Sequence, residues 1–196
     1  MIITDINSLD LSKTYSYADY LKWQFEERLE LLKGKIFKMS PAPSVAHQRA
    51  SMRITLKFGN FFQNHSCQLF AAPFDVRLPD SQKKIGNKDV FTVVQPDLCI
   101  ICDESRLDER GCIGPPDLIV EILSPGNTNK EMKNKFRLYE ESGVREYWLV
   151  EPNDRIVLIY YLKEGQYIGL RPYTDEEDAY SVIFPELSIP VAEIFK

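Results

Sequence analysis

The chain has 196 residues, 44% of them hydrophobic, and a net charge of −5. This is the length of one domain, residues 1–196, able to bury a sizeable core. The acidic balance argues against tight, salt-driven nucleic-acid binding through a basic domain, while an enzyme meeting DNA transiently through a local patch and metal ions stays compatible with it. No apolar run of about 18 residues occurs, so no membrane span is expected. The opening MIITDINSLDLSK lacks the basic-then-apolar order of a secretory signal, so a cytoplasmic location is expected.

In chain order, Ser16 to Trp23 reads as a short amphipathic helix. Arg28 to Lys33 and Lys35 to Met39 read as two strands joined at Lys33-Gly34, a hairpin signal. Glu30 lies within the first strand; taken alone, a glutamate there is solvated or paired across the strands. After a break at Ser40-Pro41-Ala42-Pro43-Ser44, a long helix is predicted from Val45 to Asn64. Arg49, Arg53, Lys57, Asn60 and Asn64 share its polar face. Ile54, Phe58, Phe61 and Phe62, with Met52 and Leu56, spread over a wide apolar arc, so most of the circumference is expected to be buried. His47 lies on the apolar side, either as a satisfied core histidine or as a polar group lining a site at the helix start.

Cys67 to Leu78 reads as extended, interrupted by Pro73, and Asp80 to Asp89 as a polar, lysine-containing loop. Phe91 to Cys102 is predicted as one continuous strand, and Asp103 to Gly114 as a charged connection. Pro116 to Lys135 then runs strand, turn, helix. Its strand is the apolar run Leu118 to Leu123 with Glu121 inside it, and its turn is Ser124-Pro125-Gly126-Asn127. Thr128 and Glu131 have capping-box spacing, and Gly143 is placed to end the helix. Strands follow at Val144 to Glu151 and Arg155 to Lys163, weaker ones at Tyr167 to Pro172 and Ala179 to Phe184, and a last apolar turn at Ile189 to Phe195. This order predicts an α/β or α+β domain on a mixed central sheet. Cys99 and Cys102 have C-x-x-C spacing, but residues three apart in a strand point to opposite faces and no second pair matches them. Cys67, Cys99, Cys102 and Cys112 are therefore read as small buried hydrophobes in a reducing compartment rather than a zinc or redox site.

Two features of the Pro116–Lys135 unit conflict with a plain core. An ionised carboxylate inside an apolar strand is costly unless something pairs with it. On the helix, Met132, Phe136 and Tyr139 form the inward stripe and Lys133, Arg137 and Glu140 the solvent face. Lys135 falls on the edge of the inward stripe, one turn before Tyr139. A lysine aimed at the sheet needs an anionic partner, and Glu121 is the candidate. Asp97, in VVQPDLCII, is a third group of this kind if it lies in mid-strand; the alternatives are that it ends a strand after Pro96, or that these acids belong to a structural ion-pair network. Alternation puts Asp97, Cys99 and Ile101 on one face of their strand, and Asp117, Ile119, Glu121 and Leu123 on one face of theirs. If the strands are neighbours, Asp97 and Glu121 converge and Lys135 comes over them. Close carboxylates repel unless a cation bridges them or one is protonated, and hard oxygen ligands with open water positions suit Mg²⁺ or Mn²⁺. With a lysine to orient or deprotonate a water, this is equipment for metal-assisted phosphodiester hydrolysis. Asp117 also follows a proline, but stands at a strand entrance, where a solvated position is expected.

The segments QPDL, PPDLIVEILSPGNT, K-x-x-x-Y from Lys135 to Tyr139, and SGVREYWLVEP together resemble the Uma-two family of restriction endonucleases, in the PD-(D/E)XK nuclease superfamily. LELLKGKIFKMSP and the next helix, with His47, look like it too, so the resemblance spans roughly residues 15 to 195. It implies a restriction-endonuclease-like mixed central sheet flanked by helices, DNA as substrate, and Asp97 and Glu121 as Mg²⁺ ligands. The superfamily lysine is expected two residues after Glu121, where Leu123 stands; Lys135 is the natural replacement. Glu30 and His47 match positions the family pattern often occupies, which implies a part in orienting a water or a ligand. Lys130 and Lys133 are read as surface lysines or, with the amides at the helix start, as holders of a neighbouring phosphate. Double-strand cleavage favours two-fold symmetry, so a homodimer is the expected assembly. The rivals are a catalytically inert nucleic-acid- or protein-binding module on the same fold, and a small-molecule enzyme reusing the two carboxylates.

Overall fold

A computed structural model describes residues 2–39, 43–80, 86–124 and 129–196, the side chains of 129–131 excepted. The expected turn at Pro125-Gly126-Asn127, the Thr128/Glu131 capping box, most of the break after Met39, and Lys83, Lys84 and the Lys130 side chain lie outside these residues. A short helix, α1 (Tyr17–Tyr20), precedes a hairpin of β1 (Leu29–Leu32) and β2 (Lys35–Lys38). Lys33 and Gly34 both take positive φ, 50° and 77°, as a two-residue turn matched to strand twist requires. A side chain at Gly34 would also run into Thr14, 2.3 Å from an added Cβ. The long helix α2 (Val45–Phe62) follows, then β3 (Gln68–Ala71), β4 (Val76–Arg77), β5 (Val93–Val94) and β6 (Leu98–Ile101). A small hairpin of β7 (Leu107–Asp108) and β8 (Gly111–Ile113) leads into β9 (Leu118–Ile122). Helix α3 (Asn129–Ser142) ends at Gly143, φ 86°, the left-handed stop the sequence predicts. The chain closes with β10 (Glu146–Glu151), β11 (Ile156–Lys163), β12 (Gln166–Gly169), β13 (Asp178–Tyr180), β14 (Ser188–Pro190) and α4 (Val191–Ile194).

The predicted mixed central sheet is present, in the order β12-β11-β10-β9-β6-β3. Its β9–β10 pair is parallel and crossed over by α3; the other pairs are antiparallel. One face packs on α2 and α4 through Ile54, Phe58, Val120, Ile122 and Trp148. The other meets α3 through Ile119, Tyr139 and Tyr147. A second sheet, β2-β1-β5-β4-β8-β7, was not foreseen, and its Leu32 and Val76, with Leu78 just after β4, join this second core.

Three expectations change. The predicted strand Phe91 to Cys102 is two strands in different sheets, β5 and β6, divided at Gln95-Pro96-Asp97. Proline lacks the N–H a ladder needs, so the chain changes sheets there. Asp97 consequently stands at the entrance of β6, not in mid-strand. On α2 the buried stripe is narrower than expected: His47, Ala50, Ile54, Phe58 and Phe62 are buried, while Met52 and Leu56 are exposed. Cys67 and Cys102 are joined as a disulfide, because the β3–β6 register puts them opposite each other one step beyond Gln68 and Ile101. Cys99 and Cys112 are free and buried, as expected.

Candidate active site

The site lies where the C-terminal end of β9 meets the start of β6. The β6–β9 ladder pairs Leu98 with Val120 and Cys99 with Ile119, so one further step sets Asp97 across from Glu121. The two strands are neighbours, which was the condition for convergence. Asp97 is held from two directions. Its Oδ2 accepts the Ile122 N–H at 2.8 Å and faces His47 Nε2 at 3.3 Å. His47 reaches it from the first turn of α2, which Ser44 caps by accepting the His47 N–H. His47 therefore faces the site, and its Nδ1 is buried without a partner among the described residues. Burial alone would lower the imidazole pKa; the hydrogen bond to Asp97 and the charges of Asp97 and Glu121 outweigh it and raise the pKa.

Lys135 enters from α3 as the helical period predicts, and is buried. Its ammonium donates to Glu121 Oε1 at 2.9 Å and to Glu30 Oε1 at 3.0 Å. Glu30 comes from β1, in the second sheet, and is itself buried, so the solvated alternative for it falls away. Burial pulls the Lys135 pKa down, but Glu121 and Glu30 more than reverse this, and the amine stays protonated. Glu121 nevertheless has its carboxyl pushed up, to about 7: burial raises it, Lys135 lowers it, and Asp97 and Glu30 raise it again. The two upward shifts have different causes: burial drives that of Glu121, and the two carboxylates drive that of Lys135. Glu121 and Glu30 share the one ammonium of Lys135, and Asp97 pairs with His47.

Sequence reasoning missed two groups. Tyr139 donates its hydroxyl to Glu121 Oε1 at 2.6 Å, completing the K-x-x-x-Y pair on one helix face. Gln95 donates its N–H to Glu30 Oε1 at 2.9 Å and its side-chain amide to Asp75, and accepts from Arg28. Its position in QPDL, a polar residue ahead of Pro96 in an apolar run, was the available signal. Asp117 is not solvated as expected. It is buried, accepts the Cys102 N–H at 2.9 Å and pairs with Arg145, so its work is structural. Lys133 is exposed.

The donor set fits a hard divalent cation. Asp97 and Glu121 each spend one oxygen on protein donors, while the second has no hydrogen-bond partner among the described residues. No group of three or more His, Cys, Asp and Glu side chains suited to a metal occurs among the described residues. A small void of about 20 Å³, room for about one water, adjoins Glu121, Leu123, Met132 and Lys135.

The family model described as "Putative restriction endonuclease" matches residues 17–192. A crystal structure from Anabaena variabilis, described as a "putative nuclease belonging to DUF820", has the same fold, with a TM-score of 0.70 over 92% of this chain and 97% of its own, at 19% identity. An uncharacterized protein of Synechocystis sp. is 25% identical over 150 residues, 76% of this chain and 74% of its own. A nuclease-like mixed sheet, flanking helices and a matching family model over nearly the whole length place this chain in the Uma2 family of restriction-endonuclease-like proteins.

Proposed function

We propose that the protein is an endonuclease that hydrolyses DNA phosphodiester bonds with Mg²⁺ or Mn²⁺ at Asp97 and Glu121. The observation that carries this is the convergence of Asp97, Glu121 and Lys135, from the start of β6, from β9 and from α3, with one oxygen of each carboxylate free of hydrogen bonds among the described residues. A bound divalent cation supplies charge stabilisation at the phosphoryl oxygen and a more acidic attacking water. Asp97 and Glu121 would hold it through their uncommitted oxygens. His47 and the Ile122 N–H fix the orientation of Asp97, so His47 is a positioning residue. Lys135 stays protonated and is a donor, not a base. Two of its three N–H groups are spent on Glu121 and Glu30, and the third is left to orient a water or a phosphate oxygen. Glu30 and Tyr139 hold Lys135 and Glu121 in place. Double-strand cutting favours a homodimer as the working assembly.

Plasmid and single-stranded DNA, incubated with Mg²⁺, Mn²⁺ or EDTA, test the reading. Wild type cleaves only with metal, and Asp97→Ala, Glu121→Ala and Lys135→Ala each cut the rate by about 100-fold or more. Cleavage at the wild-type rate by all three overturns the site. A second reading, a catalytically inert binding module, draws on the tight closure of Lys135 between two carboxylates beside a void of only about 20 Å³. It predicts no cleavage by wild type and a change in stability alone for Asp97→Ala.

A further inference from the structure

We infer that the cleft between the β1–β2 hairpin and α3 seats one nucleotide of the DNA strand being cut, next to the catalytic site. This rests on the nuclease reading above. The cleft has a volume of about 320 Å³, within the roughly 300–1,000 Å³ typical of small-ligand sites. Both of its walls are built on elements that also carry site residues. Phe37, on its β2 wall, is the cross-strand partner of Glu30, which accepts from Lys135. Along the other wall, Leu138 follows Lys135 by one turn of α3 and packs with Leu32 in the same core cluster.

The lining has two chemistries. Leu32, Phe37 and Leu138 make an apolar wall, and Lys33, Lys35 and Arg137 supply cations. The one carboxylate, Glu141, is already taken by Lys33 at 2.6 Å. Lys35 is fixed by donating to the Ser12 and Lys13 carbonyls at 2.5 and 3.1 Å. Arg137 has no ion pair or hydrogen bond among the described residues and is exposed. In a chain of net charge −5, this is a local excess of positive charge beside a cluster of acids. A nucleotide matches both halves: its base or sugar lies on Phe37, and a phosphate meets Arg137 and Lys35. Aromatic stacking with a cationic edge is the general recipe for holding a single strand. An acidic peptide would use the cations and leave the aromatic wall unused.

The test is binding of a fluorescein-labelled 12-nucleotide single strand, and of the same sequence as a duplex, by anisotropy in EDTA over a salt series. The full chain is compared with Arg137→Gln, Phe37→Leu, and Lys57→Gln on the polar face of α2. Arg137→Gln weakens binding about 5–20-fold and reduces the salt slope by about one. Phe37→Leu weakens binding about 5-fold or more with the slope unchanged. Lys57→Gln does neither. Circular dichroism melts confirm folding, and Arg137, being exposed, decides the matter if Phe37→Leu does not fold. If both cleft variants bind like wild type while Asp97→Ala abolishes metal-dependent cleavage, the cleft assignment falls and the nuclease reading stands. Polyglutamate competing as well as unlabelled oligonucleotide also overturns the assignment. Wild type that neither binds nor cuts DNA overturns both.

Discussion

Removing the ammonium of Lys135 leaves Glu121 and Glu30 as buried carboxylates with no cation between them. Lys135→Met, which keeps length and drops charge, is expected to cost about 3–5 kcal/mol at pH 8, the usual result of breaking a buried pair from one side. The pH dependence follows from Glu121. Its carboxyl titrates near 4.5 in the unfolded chain and about 7 in the folded one. Between those values the folded state holds more protons, so this group's contribution to stability falls as pH rises through the window. Losing Lys135 pushes the Glu121 pKa higher still, so the cost of Lys135→Met grows toward pH 8 and shrinks toward pH 5. Urea melts in EDTA at both pH values measure this; an equal cost at each contradicts the charge cluster. His47 acts through Asp97. His47→Ala is expected to lower cleavage about 10–100-fold and to raise the Mg²⁺ concentration needed for half-maximal rate, as for other groups that orient a metal ligand. An unchanged metal requirement would place His47 outside the site. Lys135 was legible from the helical period alone. Glu30 was named only through the family resemblance, and its pairing with Lys135 was not legible, because it lies 105 residues away on a strand of another sheet.

At the scale of elements, the acid pair depends on how β6 begins. Alternation within PPDLIVEIL and QPDLCII assigned Asp97 and Glu121 to one face, and the β6–β9 register agrees. The break at Pro96 was legible only as the alternative that Asp97 ends a strand, because apolar residues flank it on both sides, VV before and LCII after. That break is what moves Asp97 to a strand end, with a more open side chain, 20% exposed against 12% for Glu121. Asp117 marks the opposite case, since a proline-aspartate pair looks the same in sequence at either place. It ties β9 to the end of β6 by accepting the Cys102 N–H. Asp117→Ala is expected to cost about 1–3 kcal/mol by leaving that N–H unpaired. Its pair with the largely exposed Arg145 adds little. Cleavage by the folded protein at 20 °C stays at the wild-type rate; a loss of rate in a fully folded variant would bring Asp117 into the chemistry.

At the scale of the whole molecule, two sheets share the work. The central sheet carries Asp97 and Glu121; the second carries Glu30 and, on the β1–β2 hairpin, one wall of the basic cleft. The central sheet was readable because β9, β10 and β11 are long enough to show their pattern. The second was not, because strands such as Val76–Arg77 and Val93–Val94 are two residues long and carry no period. With it went the Lys135–Glu30 contact and the cleft. The claim on which everything else depends is that Asp97 and Glu121 hold one divalent ion between them. Anomalous diffraction from crystals grown with MnCl₂ tests it most directly. One manganese peak is expected about 2–2.5 Å from an oxygen of each carboxylate. Data showing no peak there, with Glu121 still closed on Lys135 at saturating Mn²⁺, would contradict it.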